Sequence, residues 1–164
     1  FIESKDYIEM RIGHGFDSHG WESPKTKPLI LGGVTFESEY SLKGHSDSDV
    51  IAHACIDALL GPTGQGDIGM LFPDNDPKYE NANSIEMLSQ VVAKIDNAGW
   101  EIINVDCSII AETPKILNKK ENIETIMSRI ISAPFSIKGK RPEGFEQLSG
   151  VACFAISLLK EKNE

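Results

Sequence analysis

Two short polar clusters, Asp17-Ser18-His19 and the run from His45 to His53, hold three of the chain's four histidines and constrain its fold more than any other feature. If Asp17, His19 and His53 converge, they supply one carboxylate and two imidazoles, the donor set with which zinc keeps one position open for substrate. Residues 10–16 read as a strand broken by Gly13 and Gly15. Side chains two apart in extended backbone point the same way, so Asp17 and His19 leave the strand's end on one side. Ser46 or Asp47 reads as the N-cap of a helix running to about residue 60, with acids in its first turn and Gly61-Pro62 as its stop. His53 then lies mid-helix. Asp49 and Asp57, each four residues away, share its face, and either can accept the proton of the ring nitrogen that faces away from an ion. Plainer readings stand beside these: Asp17 as a turn former, His19 as a loop residue, His53 as a satisfied helix histidine, and His45 and Ser46 as capping residues. A residue just before a helix start also sits beside free amides, a natural place for an anion.

A chain of 164 residues, 40% of them hydrophobic, can build one ordinary core but not two. Its net charge of -9 argues against nucleic acid or an anionic membrane as a partner. Any phosphate-bearing ligand must therefore be held locally, by a metal, by backbone amides or by a few cations. Cys55, Cys107 and Cys153 form no C-x-x-C pair and read as reduced core residues. No apolar run is long enough for a bilayer span, and the first nine residues are too acidic for a signal or transit peptide. Met10 is a candidate native start, which makes residues 1–9 an extension and 10–164 the domain.

The remaining pattern alternates strands and helices, without internal repeats. Leu29 to Leu31 and Val34 to Phe36 read as a hairpin around Gly32-Gly33, and residues 64–83, rich in Gly, Asp, Asn and Pro, as a long functional surface loop. A second helix is expected from Ser84, as cap, to about residue 98, with Gly99 as stop. Residues 102–111 form a strand with Ile103, Val105, Cys107 and Ile109 on one face. A third helix covers about 118–132, and residues 137–140 are extended. Residues 151–159 fit strand or helix, and the ending Leu-Leu-Lys-Glu-Lys favours helix.

Six blocks in order make the chain resemble the 2-C-methyl-D-erythritol 2,4-cyclodiphosphate synthase family. They are R-I-G-H-G-F-D-S-H at 11–19, G-H-S-D-S-D-V-I-A-H at 44–53, D-A-L-L-G at 57–61, G-D-I-G at 66–69, L-F-P-D-N-D-P at 71–77 and A-E-T-P-K-I-L at 111–117. The resemblance implies an α+β domain, a sheet with helices packed on one face, assembled as a homotrimer with active sites between neighbours. It implies closure of 4-diphosphocytidyl-2-C-methyl-D-erythritol 2-phosphate into the cyclic diphosphate with release of CMP, in the cytoplasm of a bacterium or the plastid stroma of a eukaryote. By position, Asp17, His19 and His53 would hold zinc, while His45 and Ser46 would contact phosphate, His45 stabilising the transition state. Asp67, Ile68 and Gly69 with Phe72, Pro73, Asp74, Asn75 and Asp76 would hold the methylerythritol portion. Ala111, Glu112, Thr113, Pro114, Lys115, Ile116 and Leu117 would enclose the cytidine. Glu143 aligns with the ligand of a second ion, magnesium or manganese.

The chain departs from the family at Lys138-Gly139-Lys140-Arg141-Pro142-Glu143. Arg141 stands where a threonine normally contacts the diphosphate and helps stabilise the transition state, and a guanidinium in that catalytic place offers a larger, bidentate donor, with Lys140 beside it. A solvated basic patch is the plainer reading. Residues 144–150 lack the family's T-G-R-G-E-G run; Phe145 is a remnant of a phenylalanine on the trimer axis, and no arginine matches the one that binds prenyl diphosphates there. Two rivals follow from the residues alone, a zinc-dependent phosphohydrolase and a non-catalytic nucleotide-binding domain.

Overall fold

β1 (Met10–Glu22) is a long strand that carries Asp17 and His19 within its length rather than at its end. In this computed structural model, which describes residues 7–144 and 149–162, β1 pairs along its length with the C-terminal strand β7 (Gly150–Glu161). The expected helix at residues 151–159 is thus a strand. Val151, Cys153, Ala155 and Leu159 are buried while Phe154 and Ile156 are exposed, a period of two that outweighs the helix propensity of the last few residues.

The five-stranded sheet has the order β4-β1-β7-β5-β6, with β4 (Ser41–Leu42), β5 (Trp100–Ile110) and β6 (Phe135–Lys140) completing it. Only β5 and β6 run parallel. β2 (Leu29–Leu31) and β3 (Val34–Phe36) form the expected separate hairpin, with Gly32 and Gly33 both at positive φ. A bulge between Ile102 and Asn104 shifts the alternation of β5, so Ile102 is buried in place of Ile103, and Val105, Cys107 and Ile109 face the core as expected. All three cysteines are buried and free.

Helices cover one face. α1 (Val50–Leu60) crosses β1 and β7, α4 (Lys120–Ile131) packs on β6, and α3 (Ser84–Asn97) lies between α1 and α4. The loop at 64–83 includes a short helix, α2 (Ile68–Leu71), and a 3-10 turn at Pro77–Tyr79. Helix starts fall later or earlier than expected: Asp49 caps α1 and Asn83 caps α3. Ser48 at φ 61 turns the chain just before α1, which rules Ser46 and Asp47 out as caps.

Gly13 and Gly15 do not break β1; they let α1 approach it. A Cβ on Gly15 would lie 1.8 Å from the Ala54 carbonyl oxygen, and one on Gly13 1.8 Å from that of Ala58. Gly15→Ala must therefore push helix and strand apart, and a loss of about 3 kcal/mol is expected in urea unfolding, with the denaturant slope unchanged.

Candidate functional site

The helix α1 and strand β1 are close enough at their Gly/Ala contact to bring His53 onto Asp17 and His19. Asp17 Oδ2 lies 3.0 Å from His19 Nε2 and 2.9 Å from His53 Nδ1, and the two ring nitrogens are 3.3 Å apart. Donors bound at about 2.0–2.1 Å in a tetrahedron sit roughly 3.3 Å from one another, so these three atoms can close on one zinc-sized ion. Among the described residues this is the one cluster of at least three such donors. The convergence expected from the two sequence clusters is real.

Charge reinforces the geometry. Burial tends to raise the Asp17 carboxyl, but hydrogen bonds from His19 and His53 outweigh it and hold the group well below the usual carboxylate range. Burial tends to lower His53, yet its hydrogen bond to Asp17 reverses that and raises it. Asp17 thus adds stability that is present above the ordinary carboxylate pKa and lost as pH falls through the depressed folded value. His53 adds stability that is complete below the ordinary histidine pKa and lost as pH rises through the raised folded value. Metal-free protein should therefore melt highest between about pH 4 and pH 6.5 and lower on either side, which thermal melts in chelator would test.

Neither acid expected to support His53 does so. Asp49 is buried at the helix start, where its two oxygens accept the amides of Gly32, Gly33, Ile51 and Ala52. Burial pushes its carboxyl up, and the hairpin amides offset only part of that rise. Asp57 accepts the Ile68 amide at 2.8 Å and fastens α2 to α1, with burial raising its carboxyl as well. His53 Nε2 instead faces Ser84 Oγ at 2.8 Å and Ser46 Oγ at 3.2 Å. Asp49 thus takes the Ile51 and Ala52 amides at the start of α1, two of the amides expected to be open to an anion beside His45. His45 Nε2 lies 3.3 Å from the Asp76 carbonyl oxygen.

The loop carrying His45 and Ser46 is held by a residue the sequence did not mark. Lys27 Nζ donates to Gly44 O at 2.6 Å, Ser46 O at 2.7 Å and Ser48 Oγ at 3.0 Å. Desolvation lowers its pKa. Nothing in its local sequence sets this lysine apart from the others.

A cavity of about 470 Å³ opens over the three donors and is lined also by His45, Ser46, Ile68, Gly69, Phe72, Pro73, Asp74 and Asn75. Tyr79 and Met87 join the lining without any signal in the sequence, and Asp57, expected only as a support for His53, joins it too. Asp67 and Asp76 stand outside it, with their carboxylates used as caps for the Met70 and Lys78 amides. A second cavity of about 470 Å³ is lined by Ala111, Pro114, Lys115, Ile116, Leu117, Lys140 and Arg141. Glu112 and Thr113 are not in its lining. Glu143 lies on an exposed turn at φ 48, and Phe145 falls outside the described residues.

Register fixes how the two cavities relate. Asp17 pairs with Cys153, Cys153 with Ile109 and Ile109 with Gly139, so both cavities flank the same end of the sheet. Three strand spacings, about 14 Å, separate their strands within one chain.

An α+β sheet that gathers two histidines and a carboxylate beneath an open cavity has the form of an enzyme with a metal centre. Residues 10–160 match the profile of the YgbB family. The 2-C-methyl-D-erythritol 2,4-cyclodiphosphate synthase of Aquifex aeolicus is 46% identical over 93% of this chain and 98% of its own length. That of Enterococcus faecalis is 42% identical over 93% and 99%. Among solved structures, the bifunctional IspDF from Campylobacter jejuni superposes with a TM-score of 0.88 at 36% identity over 96% of this chain, which spans 44% of that longer protein. The IspF of Plasmodium falciparum in complex with CDP gives 0.80 at 35% identity, covering 96% of this chain and all of that one. The chain belongs to the YgbB family, and the curated relatives it matches are cyclodiphosphate synthases.

Proposed function

We propose that this protein closes 4-diphosphocytidyl-2-C-methyl-D-erythritol 2-phosphate into 2-C-methyl-D-erythritol 2,4-cyclodiphosphate and releases CMP, as an enzyme of non-mevalonate isoprenoid precursor synthesis. The observation that carries this reading to the site is the convergence of Asp17, His19 and His53 beneath an open cavity. An oxygen of the 2-phosphate attacks the distal phosphorus of the diphosphate, and the bond from that phosphorus to the CMP oxygen breaks. Water takes no part. Reactions of this kind need positioning and charge neutralisation more than covalent help from the protein. A zinc ion held by the three donors would supply a Lewis acid for a phosphate oxygen.

His45 and Ser46 are assigned to the reacting phosphates, where both line the cavity and Lys27 keeps their loop in place. Ile68, Gly69 and Phe72 to Asn75 are assigned to the methylerythritol portion, and Asp67 and Asp76 act from behind it as caps. The second cavity is assigned to cytidine, with Lys140 and Arg141 toward the diphosphate. Glu143 is one exposed carboxylate, so magnesium or manganese there needs diphosphate oxygens to complete its shell.

A homotrimer accounts for two half-sites that lie apart in one chain. It is supported by an apolar stripe on the open face of the sheet, where Ile12 is 74% exposed and Phe16, Phe154 and Ile156 are 40–47% exposed. No helix among the described residues is long and apolar enough to cross a membrane, and the bacterial cytoplasm is the compartment we assign.

Phosphorus NMR of a reaction run in ¹⁸O-water tests the reading. Equal amounts of CMP and cyclic diphosphate without ¹⁸O are expected; an ¹⁸O-labelled open-chain phosphate would make the protein a phosphohydrolase.

A further inference from the structure

His53 presents Nδ1 to Asp17 at 2.9 Å and Nε2 to Ser84 Oγ at 2.8 Å. Ser84 Oγ also contacts Asp47 Oδ1, and Asp47 Oδ2 accepts the Ser84 amide at 2.9 Å. Ser84 is wholly buried, so solvent offers its hydroxyl no alternative partner. An ionised carboxylate only accepts, which sends the hydroxyl hydrogen to Asp47 and leaves Ser84 Oγ with lone pairs alone for the ring. Nε2 must then carry the hydrogen. In a neutral imidazole this puts the free lone pair on Nδ1, the atom that faces Asp17 and His19.

We propose that Asp47 and Ser84 form a positioning relay that fixes His53 as its Nε2–H tautomer and presets Nδ1 to ligate a divalent ion. The proposal rests on the metal-centre reading above and adds to it the residues that prepare the ligand. It also separates two serines that both approach Nε2. Ser46 Oγ stands farther off at 3.2 Å, accepts the Ser48 amide and lines the cavity, whereas Ser84 is absent from the cavity lining. Ser46 can therefore turn to a phosphate while Ser84 keeps the ring in place. Ser84 reads from sequence as a helix cap, but in the fold Asn83 caps α3.

Competition with a chromophoric chelator would give the zinc affinity of the full chain and its variants, and the visible spectrum of the cobalt-substituted protein would report the ligand geometry. Ser84→Ala is expected to weaken zinc about 10–100-fold and to change the cobalt bands. Ser84→Thr, which keeps the hydroxyl, should restore both. Asp47→Asn should weaken zinc by itself but add nothing in the Ser84→Ala background, because Asp47 acts through that hydroxyl. Ser84→Cys, close in size with a weaker hydrogen bond, supplies the same comparison if the alanine variant does not fold. Wild-type affinity and spectrum in Ser84→Ala or Ser84→Cys, or equal weakening in Ser84→Ala and Ser84→Thr, would overturn the relay. A wild-type chain that binds no zinc would instead remove the metal-centre reading itself.

Discussion

His53→Ala and Asp17→Asn are each expected to cut CMP release by about a thousandfold or more, since Lewis-acid stabilisation of roughly 4 kcal/mol converts to that factor. Asp17→Asn is the cleaner variant. It preserves the shape of the side chain and removes the charge that both histidines contact at 3.0 and 2.9 Å. His53→Ala also empties the space beside buried Ser84 and removes the ring its hydroxyl oxygen faces, so it disturbs packing as well as the donor set. Steady-state CMP release read beside zinc content and circular dichroism separates the two losses: a folded, zinc-poor protein with collapsed turnover is the expected result. Folded protein that keeps full turnover without zinc would sink the assignment of the three donors.

Ile12→Glu should abolish activity by a different route. Ile12 stands on the open face of β1, away from α1, so a charge there leaves the core intact but burdens any apolar interface on that face. Sedimentation velocity is expected to find a folded monomer in place of the proposed trimer, and turnover should fall below detection, because in that proposal a neighbour brings its second cavity to the three donors. An active variant of unchanged mass would show that the apolar stripe is not where subunits meet.

The parts of this molecule that sequence alone revealed are those set by local repetition. D-x-H in extended backbone put Asp17 and His19 on one side, and the Gly32-Gly33 turn named its hairpin. Residues 151–159 misled because their helix propensity is a local quantity, whereas their strand state comes from pairing with β1 on one side and β5 on the other. Gly13 and Gly15 read as interruptions for a similar reason: the atoms they make room for belong to α1, many residues away.

The support of His53 shows the same limit at the site. Asp49 and Asp57 were in helical reach, yet each is spent on amides of other segments, and the ring is held by Ser84 from α3. Helical spacing gives proximity but not the competing partners. Lys27, gripping three acceptors of the His45 loop, has no signature short of the folded chain. The methylerythritol portion could be assigned to residues 67–76 only through the family's motif blocks, since a Gly/Asp/Pro loop by itself reads as a turn.

X-ray absorption at the zinc edge of purified protein with CDP tests the metal centre most directly. Two imidazole nitrogens and a carboxylate oxygen at about 2.0–2.1 Å, plus a further oxygen, are predicted at one zinc per chain. Sulfur neighbours near 2.3 Å, which would place the metal on cysteine, or protein that takes up no zinc would contradict the account.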